Sequence, residues 1–324
     1  MAIAVLTLLA PLGMSAQAPA LQVPPPLPLD SASYGVSGLR IGILLQVRAD
    51  RPDAADEVSS FFMRKAEVGF KARVNDQTHV SIELDPVNPD DPFRRTYLRL
   101  SHLPRLHVKV GMEKAPVGLE ELLSSANQPL VDRSQVTDRF AAAEEVGVHL
   151  ESRWDRWLFQ LSVTNGGRRL LRDDNERKDL SARVVWAPND WMSVGLAGLE
   201  GKAGPDERDR TRLNAEIKIG STDSGFQAEY YHADDADVRS AASYASLFRT
   251  SSLDSMGRMQ IQPAIRYEHV ERSDDDAENE MRLLTLGLGV LLDGNRSKFQ
   301  VNYLVDLRAG LNTGGLRVQY QVEF

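Results

Sequence analysis

Leu316-Arg317-Val318-Gln319-Tyr320-Gln321-Val322-Glu323-Phe324 alternates an apolar side chain with a polar or charged one over nine positions. In a strand, successive side chains point to opposite sides, so this order makes one oily face and one wet face. Two environments accept such a strand. One is a soluble sheet with one face on a core and the other in water. The other is a closed barrel in lipid, with the apolar face outward and the polar face lining a lumen.

The same period of two recurs along most of the chain. Over 62–74, Phe62, Ala66, Val68, Phe70, Ala72 and Val74 are expected on one face, with Lys65, Glu67, Lys71 and Arg73 on the other. Four charges on one side of one strand cannot face a dry core. Val80, Ile82 and Leu84 oppose His79, Ser81, Glu83 and Asp85, and Leu106, Val108, Val110 and Met112 oppose His107, Lys109 and Glu113. Leu213, Ala215, Ile217 and Ile219 oppose Arg212, Asn214, Glu216 and Lys218. Strands are predicted near 34–48, 58–74, 77–85, 93–102, 105–114, 144–152, 156–164, 178–187, 190–200, 209–219, 225–232, 240–250, 258–270, 280–292, 297–307 and 315–324, sixteen in all. The stretch 240–250 has the poorest alternation.

Every second link between these strands is a tight turn of turn-forming residues, as at Asn75-Asp76, Pro188-Asn189 and Asp293-Gly294-Asn295. The links between them, such as 49–57, 86–92, 165–177, 201–208 and 272–279, read as longer and acidic or Gly-rich. A soluble sandwich has no reason to segregate them, whereas a membrane barrel places short turns at one end and long loops at the other. Trp154, Trp157, Trp186 and Trp191 all fall beside the proposed tight turns, where an interfacial girdle belongs, and Tyr267, Tyr303 and Tyr320 are expected to add to it. The expectation is an all-β fold, a transmembrane antiparallel β-barrel of sixteen strands spanning 34–324.

The bulk composition is compatible with this. With 324 residues the chain is long enough for one large barrel, and a formal charge of −8 gives no reason to expect nucleic acid as a partner. No run beyond the N-terminus approaches the ~18 apolar residues of a membrane helix. There is no cysteine, which removes disulfide and thiolate chemistry. At the N-terminus, Ala2 to Ala10 is apolar and Ala16-Gln17-Ala18 fits a small-x-small cleavage pattern, so residues 1–18 are expected to be a signal peptide that lacks the usual basic start. Residues 19–33 form a Pro-rich segment around Val23-Pro24-Pro25-Pro26-Leu27-Pro28.

Several landmarks carry a resemblance. Phe61-Phe62-Met63-Arg64-Lys65-Ala66-Glu67-Val68-Gly69-Phe70 comes first, then Gly111-Met112-Glu113-Lys114-Ala115-Pro116-Val117-Gly118-Leu119-Glu120-Glu121-Leu122 with Asp132-Arg133-Ser134. Glu145-Val146-Gly147-Val148, Val163-Thr164-Asn165-Gly166 and Pro263-Ala264-Ile265-Arg266-Tyr267-Glu268 follow. In this order they resemble the phosphate-selective porin O/P family. The resemblance implies a sixteen-stranded porin of the bacterial outer membrane, a homotrimer, with the third long loop folded into the pore. Its expected surroundings are outer-membrane lipid and lipopolysaccharide outside and a small solute within.

The longest link, 115–144, has no strand pattern, and structureless segments of that length are usually functional or disordered. Its Leu119, Leu122, Leu123, Leu130, Val131 and Val136 offer a means of fixing it inside the lumen; lying over the barrel mouth or a neighbouring subunit is the other possibility. Charged side chains at a narrowing set ion selectivity. The candidates are Lys65, Lys71, Arg73, Arg95, Arg99, Lys109, Lys114, Arg133, Arg139, Arg183, Arg212 and Arg266, with Glu120 and Asp132 in the long link. Inward acids such as Glu83, Glu113, Glu151, Glu216 and Glu229 are interleaved with them, so the wall is expected to be near neutral. The family's anion-specific members use an Arg ladder and a Lys cluster; Arg64-Lys65 and Arg95 with Arg99 resemble part of the ladder, but no Lys cluster occurs in 115–144.

His79, His107 and His149 all point inward by this register, which leaves a metal site or titratable gate as a minor alternative to a plain lumen wall. His232 lies near Ser240 and Ser243, and His269 near Ser273, but neither has the frame of a triad, so no catalytic residue, metal or cofactor is assigned. The expected function is passive diffusion of small hydrophilic solutes, anions such as phosphate among them. A non-conducting barrel with an adhesive or surface-anchoring role is the alternative.

Overall fold

The computed structural model describes residues 37–51, 59–166, 175–203, 206–221, 223–236, 238–254, 257–272, 280–308 and 314–324. The expected signal peptide and Pro-rich segment lie outside the described residues. Sixteen strands are present. They are β1 (Ser37–Arg51), β2 (Ser60–Asn75), β3 (Thr78–Leu84), β4 (Thr96–Leu103), β5 (Leu106–Lys114), β6 (Glu144–Trp154), β7 (Trp157–Thr164) and β8 (Asp179–Asn189). The second half holds β9 (Met192–Ala203), β10 (Arg208–Gly220), β11 (Ser224–Asp235), β12 (Val238–Arg249), β13 (Gln260–Arg272), β14 (Met281–Leu291), β15 (Ser297–Asp306) and β16 (Gly314–Glu323).

Each strand pairs antiparallel with its sequence neighbours, and β1 also pairs with β16, Leu44 opposite Glu323, so the sheet closes. Beyond the last ladder pair, Phe324 exchanges two backbone hydrogen bonds with Ile43. β12 breaks at Thr250 and resumes over Ser251–Ser252, still paired with β13. The break falls beside Pro263 of β13, which has no N–H to donate.

Outward positions are apolar and exposed: Leu180, Val184 and Trp186 on β8, Ile265 and Tyr267 on β13, Leu286 and Leu288 on β14. Inward positions on the same strands are buried and largely polar: Asp179, Ser181 and Arg183, then Arg266 and Glu268, then Thr285. No soluble arrangement leaves the oily face bare and hides the charged one, whereas lipid outside and water inside require it. The four Trp side chains are all exposed beside two tight turns, and the Trp157 and Trp186 rings stack at 6.1 Å. Among the described residues no helix is long and apolar enough to cross a membrane, which says nothing of strands.

Two expectations need correction. Phe62 does not share a face with Val68 and Phe70: a bulge where Gln46 pairs with Lys65 but Val47 with Met63 shifts the register, and Phe62 lies under the Arg48 guanidinium at 5.6 Å. The link between β11 and β12 is also short, only residues 236–237, because both strands run further than the alternation suggested.

Residues 115–143 hold a short helix α1 (Leu119–Leu122), a 3₁₀ turn (Ser125–Asn127) and a second helix α2 (Gln135–Phe140). Val117, Val136, Phe140 and Ala141 share a hydrophobic cluster with Leu199, Tyr231, Tyr244, Val270, Leu283 and Leu304, residues of β9 and β11 to β15. Leu130 packs with Phe248 and Ala264. The principal core of the described chain is this contact between the segment and the far wall.

Candidate functional site

Segment 115–143 leaves β5 after Lys114, and polar contacts with the opposite wall fix it. Glu229 of β11 accepts from the backbone N–H of Leu119 (2.7 Å) and of Glu120 (3.0 Å), and Glu268 of β13 accepts from Gln135 N–H at 2.6 Å. Arg266 donates to Glu268 (2.8 Å), to Glu120 (3.4 Å) and to the carbonyls of Asp132 (2.9 Å) and Arg133 (3.1 Å). Glu120 in turn accepts from Ser134 N–H and from the Thr137 hydroxyl, tying α1 to α2. Lys298 of β15 donates to the Gln128 carbonyl at 2.7 Å.

Asp132 receives three guanidinium groups, Arg48 at 2.9 Å, Arg64 at 3.2 Å and Arg317 at 2.7 Å, from β1, β2 and β16. Burial pushes its carboxyl up, and Arg64, Arg48 and Arg317 more than offset this, leaving it below the usual Asp range. Asp138 has the opposite balance: burial raises its carboxyl despite Arg133. Glycines allow two close approaches. A Cβ on Gly287 of β14 would stand 2.3 Å from Leu130 Cδ2, so any side chain there would force Leu130 to shift. Gly111, at φ +133°, would set a Cβ 2.4 Å from the Thr96 carbonyl and 2.8 Å from Tyr97 Cα.

Between the segment and the wall of β2 to β4 lies a cavity of about 470 Å³. Six cations line it, Arg64, Lys65, Arg94, Arg95, Lys114 and Arg133, and six carboxylates, Glu67, Glu83, Asp85, Glu121, Asp138 and Glu144. Each cation has a carboxylate within 4 Å: Arg64 with Asp132, Lys65 with Glu67, Arg94 with Asp85, Arg95 with Glu83 at 2.8 Å, and both Lys114 and Arg133 with Glu121. A paired cation presents a dipole to a passing ion where an isolated one presents a full charge.

Further along the wall toward the tight turns the balance changes. Arg73, His79, Arg99, Lys109 and His149 are successive cross-strand partners on β2 to β6. Lys109 is paired with Glu113 at 2.6 Å, but Lys71 and Arg99 have no ion-pair partner among the described residues. The buried Arg99 Nε and His79 Nδ1 have no hydrogen-bond partner. Within this row Arg99 and Lys109 are cations directly across the ladder, a pairing that costs stability, while Arg73 has Asp76 at 3.8 Å.

The histidines do not converge. His107 contacts Ser101 at 2.9 Å and His149 contacts Ser162 at 2.8 Å, and among the described residues no group of three His, Asp or Glu is placed to hold a metal. Of the other candidates, Arg183 is paired with Glu216 at 2.5 Å and Arg212 with Asp235 at 2.5 Å, both away from the cavity beside β2 to β4. Arg139 is exposed, beside a second cavity of about 420 Å³ near the ends of β11 to β13. Sequence reasoning did not single out Arg48, Arg317, Lys298 or Glu268. Only Glu268 carried a signal, since it stands two residues from Arg266 on the same face.

Solved structures similar to this chain include outer-membrane channels and porins. OmpF of Salmonella typhi, in complex with daunomycin, aligns at TM-score 0.64 with 11% identity, covering 88% of this chain and 97% of that one. An anion-selective porin from Comamonas acidovorans aligns at 0.59 with 11% identity over 88% and 99%. The outer membrane channel DcaP of Acinetobacter baumannii aligns at 0.58 with 9% identity over 91% and 99%. At such identities the likeness is one of fold. No curated protein sequence matches significantly. The profile of phosphate-selective porin O and P matches residues 39–206, just over half of the chain and from β1 to the link after β9. This chain is therefore an outer-membrane porin that belongs to the phosphate-selective porin O and P family.

Proposed function

We propose that segment 115–143 is the constriction of this porin, and that small hydrophilic solutes diffuse past it through the cavity beside β2 to β4, with a modest preference for anions. The cross-lumen bonds from Glu229, Arg266 and Lys298 to the segment support the first part. The observation that carries the preference is the uncompensated charge of Lys71 and Arg99, since the cations beside the cavity are each neutralised by a partner. Arg99 lies on β4, four residues beyond Arg95, which immediately precedes that strand, a separation of about 13 Å, so a solute meets a neutral narrowing and a positive stretch in turn.

Planar-bilayer recording in a salt gradient tests this. The reversal potential should give an anion-to-cation permeability ratio modestly above one, and K71E with R99E should bring it below one. A wild-type ratio at or below one, or a ratio indifferent to both substitutions, removes the assignment. Absence of conductance steps would favour the non-conducting alternative. We also infer a homotrimer in outer-membrane lipid and lipopolysaccharide; OmpT of Vibrio cholerae, solved in a trimer form, is a fold neighbour. Unboiled gels should show a heat-sensitive high-mass band, and a purely monomeric species in mild detergent would count against the trimer.

A further inference from the structure

α1 has no local cap. Its N-cap is Gly118, with no side chain to satisfy the first backbone N–H groups of the helix. Those groups are met from across the lumen by Glu229, 110 and 109 residues away in sequence. Glu229 also accepts from the hydroxyls of Tyr244 (2.7 Å) and Tyr231 (3.0 Å) and from the Asn214 amide (3.1 Å). It is 2% exposed, and all five partners are donors. Glu268, fully buried, accepts from the N–H of Gln135, the first residue of α2, and adds to the local cap that the Ser134 side chain gives that helix at Thr137 N–H.

Neither carboxylate lines the cavity beside β2 to β4, so neither meets a solute there. From this geometry we propose that Glu229 and Glu268 are positioning residues, wall carboxylates that cap the two helices of the constriction and hold its edge at a fixed distance from the opposite wall. The proposal rests on the reading of segment 115–143 as the constriction. An amide in place of either carboxylate turns an acceptor into a donor that faces donors, and removes the charge that strengthens these bonds. The barrel ladder is untouched, so the effect falls on the seating of the segment.

The test uses E229Q, E268Q and a deletion of residues 119–137 in the assembled full-length protein, with two readouts. One is the variance of the open-channel current. The other is the rate at which a small charged thiol reagent modifies A126C, a position only 1% exposed in a chain with no cysteine of its own. E229Q and E268Q should retain a heat-modifiable barrel, raise the current variance, and speed modification by roughly tenfold to a hundredfold, as expected for loss of hydrogen bonds to a charged group. Y244F, which removes one donor to Glu229, should give the same effect at smaller size and carries the test if E229Q does not assemble. Wild-type variance and modification rate in E229Q, E268Q and Y244F, with higher conductance in the deletion, would overturn this proposal alone. Unchanged conductance in the deletion would overturn the constriction itself.

Discussion

Removing Arg266 should release the segment more than any other single substitution in the wall. Arg266 is 2% exposed and stands between Glu120 and Glu268, which are 1% and 0% exposed. It also holds the carbonyls of Asp132 and Arg133. Arg266→Met keeps the volume and strands two buried carboxylates. Breaking a buried pair in this way costs about 3–5 kcal/mol. The cheapest relief is for the segment to leave the wall and admit water to both carboxylates. If the full cost appears in that equilibrium, the released fraction rises by roughly two to three and a half powers of ten, at about 1.4 kcal/mol per decade. The A126C thiol reports it, because modification of a transiently opened site follows the open population when reclosing is fast. Arg266→Met combined with Glu268→Gln removes one stranded charge and should recover a large part of the difference. An assembled Arg266→Met barrel whose thiol reacts within about threefold of the parent would refute the idea that these contacts seat the segment.

Gly287→Val places a Cβ 2.3 Å from the Leu130 side chain and 2.9 Å from Asn302 Oδ1, and the added methyls are expected to push Leu130 from its site beside Phe248 and Ala264. Losing that burial costs about 1.5–3 kcal/mol and should speed A126C modification roughly tenfold to a hundredfold; an unchanged rate would show that Leu130 contributes nothing to seating. Asp132 supplies the pH dependence. Its folded-state carboxyl is held below the ordinary range by Arg64, Arg48 and Arg317 against the opposing effect of burial, so its contribution is complete above about pH 4 and is lost only as pH falls through the lower folded value. D132N should therefore raise open-channel noise by the same factor at pH 7 and pH 5, and a factor that shrinks toward one at pH 5 would mean that Asp132 is already protonated there.

Most of the barrel was legible because its two solvents impose opposite demands on alternate residues. The rule failed where the inward face does not see water. β12 alternated poorly because inward Ala242, Tyr244 and Phe248 pack against segment 115–143. Inward Met281, Leu283 and Leu304 on β14 and β15 are apolar for the same reason. A weak alternation inside a barrel sequence thus marks the wall that another part of the chain covers. The bulge on β2 was illegible, since nothing in Met63-Arg64-Lys65 signals an extra residue, yet it brings Arg64 to Asp132. The site charges were identified as types but not as partners. A pair two residues apart on one strand, such as Arg266 and Glu268, is fixed by strand geometry alone, whereas the approach of Glu120 from 146 residues away depends on the path of the whole segment.

That distinction bears on what a porin of this kind can select. Lys65 with Glu67, Arg48 with Asp50, Glu151 with Arg153 and Arg266 with Glu268 are all same-face neighbours that neutralise each other before a solute arrives. Counting lumenal arginines and lysines therefore overstates the field, and it is residues without such a neighbour among the described ones, Lys71 and Arg99 on the β2 to β4 wall included, that act at range. Their reach is the Debye length, about 10 Å at 0.1 M salt and about 3 Å at 1 M. At the lower concentration that reach is comparable with the radius of a barrel lumen, and at the higher it is confined to the wall. An anion preference built on these two residues should accordingly fade as the bathing salt is raised from 0.1 M to 1 M. A preference that stayed constant over that range would instead require a dehydrating contact at the narrowing, where each cation is already held by a carboxylate.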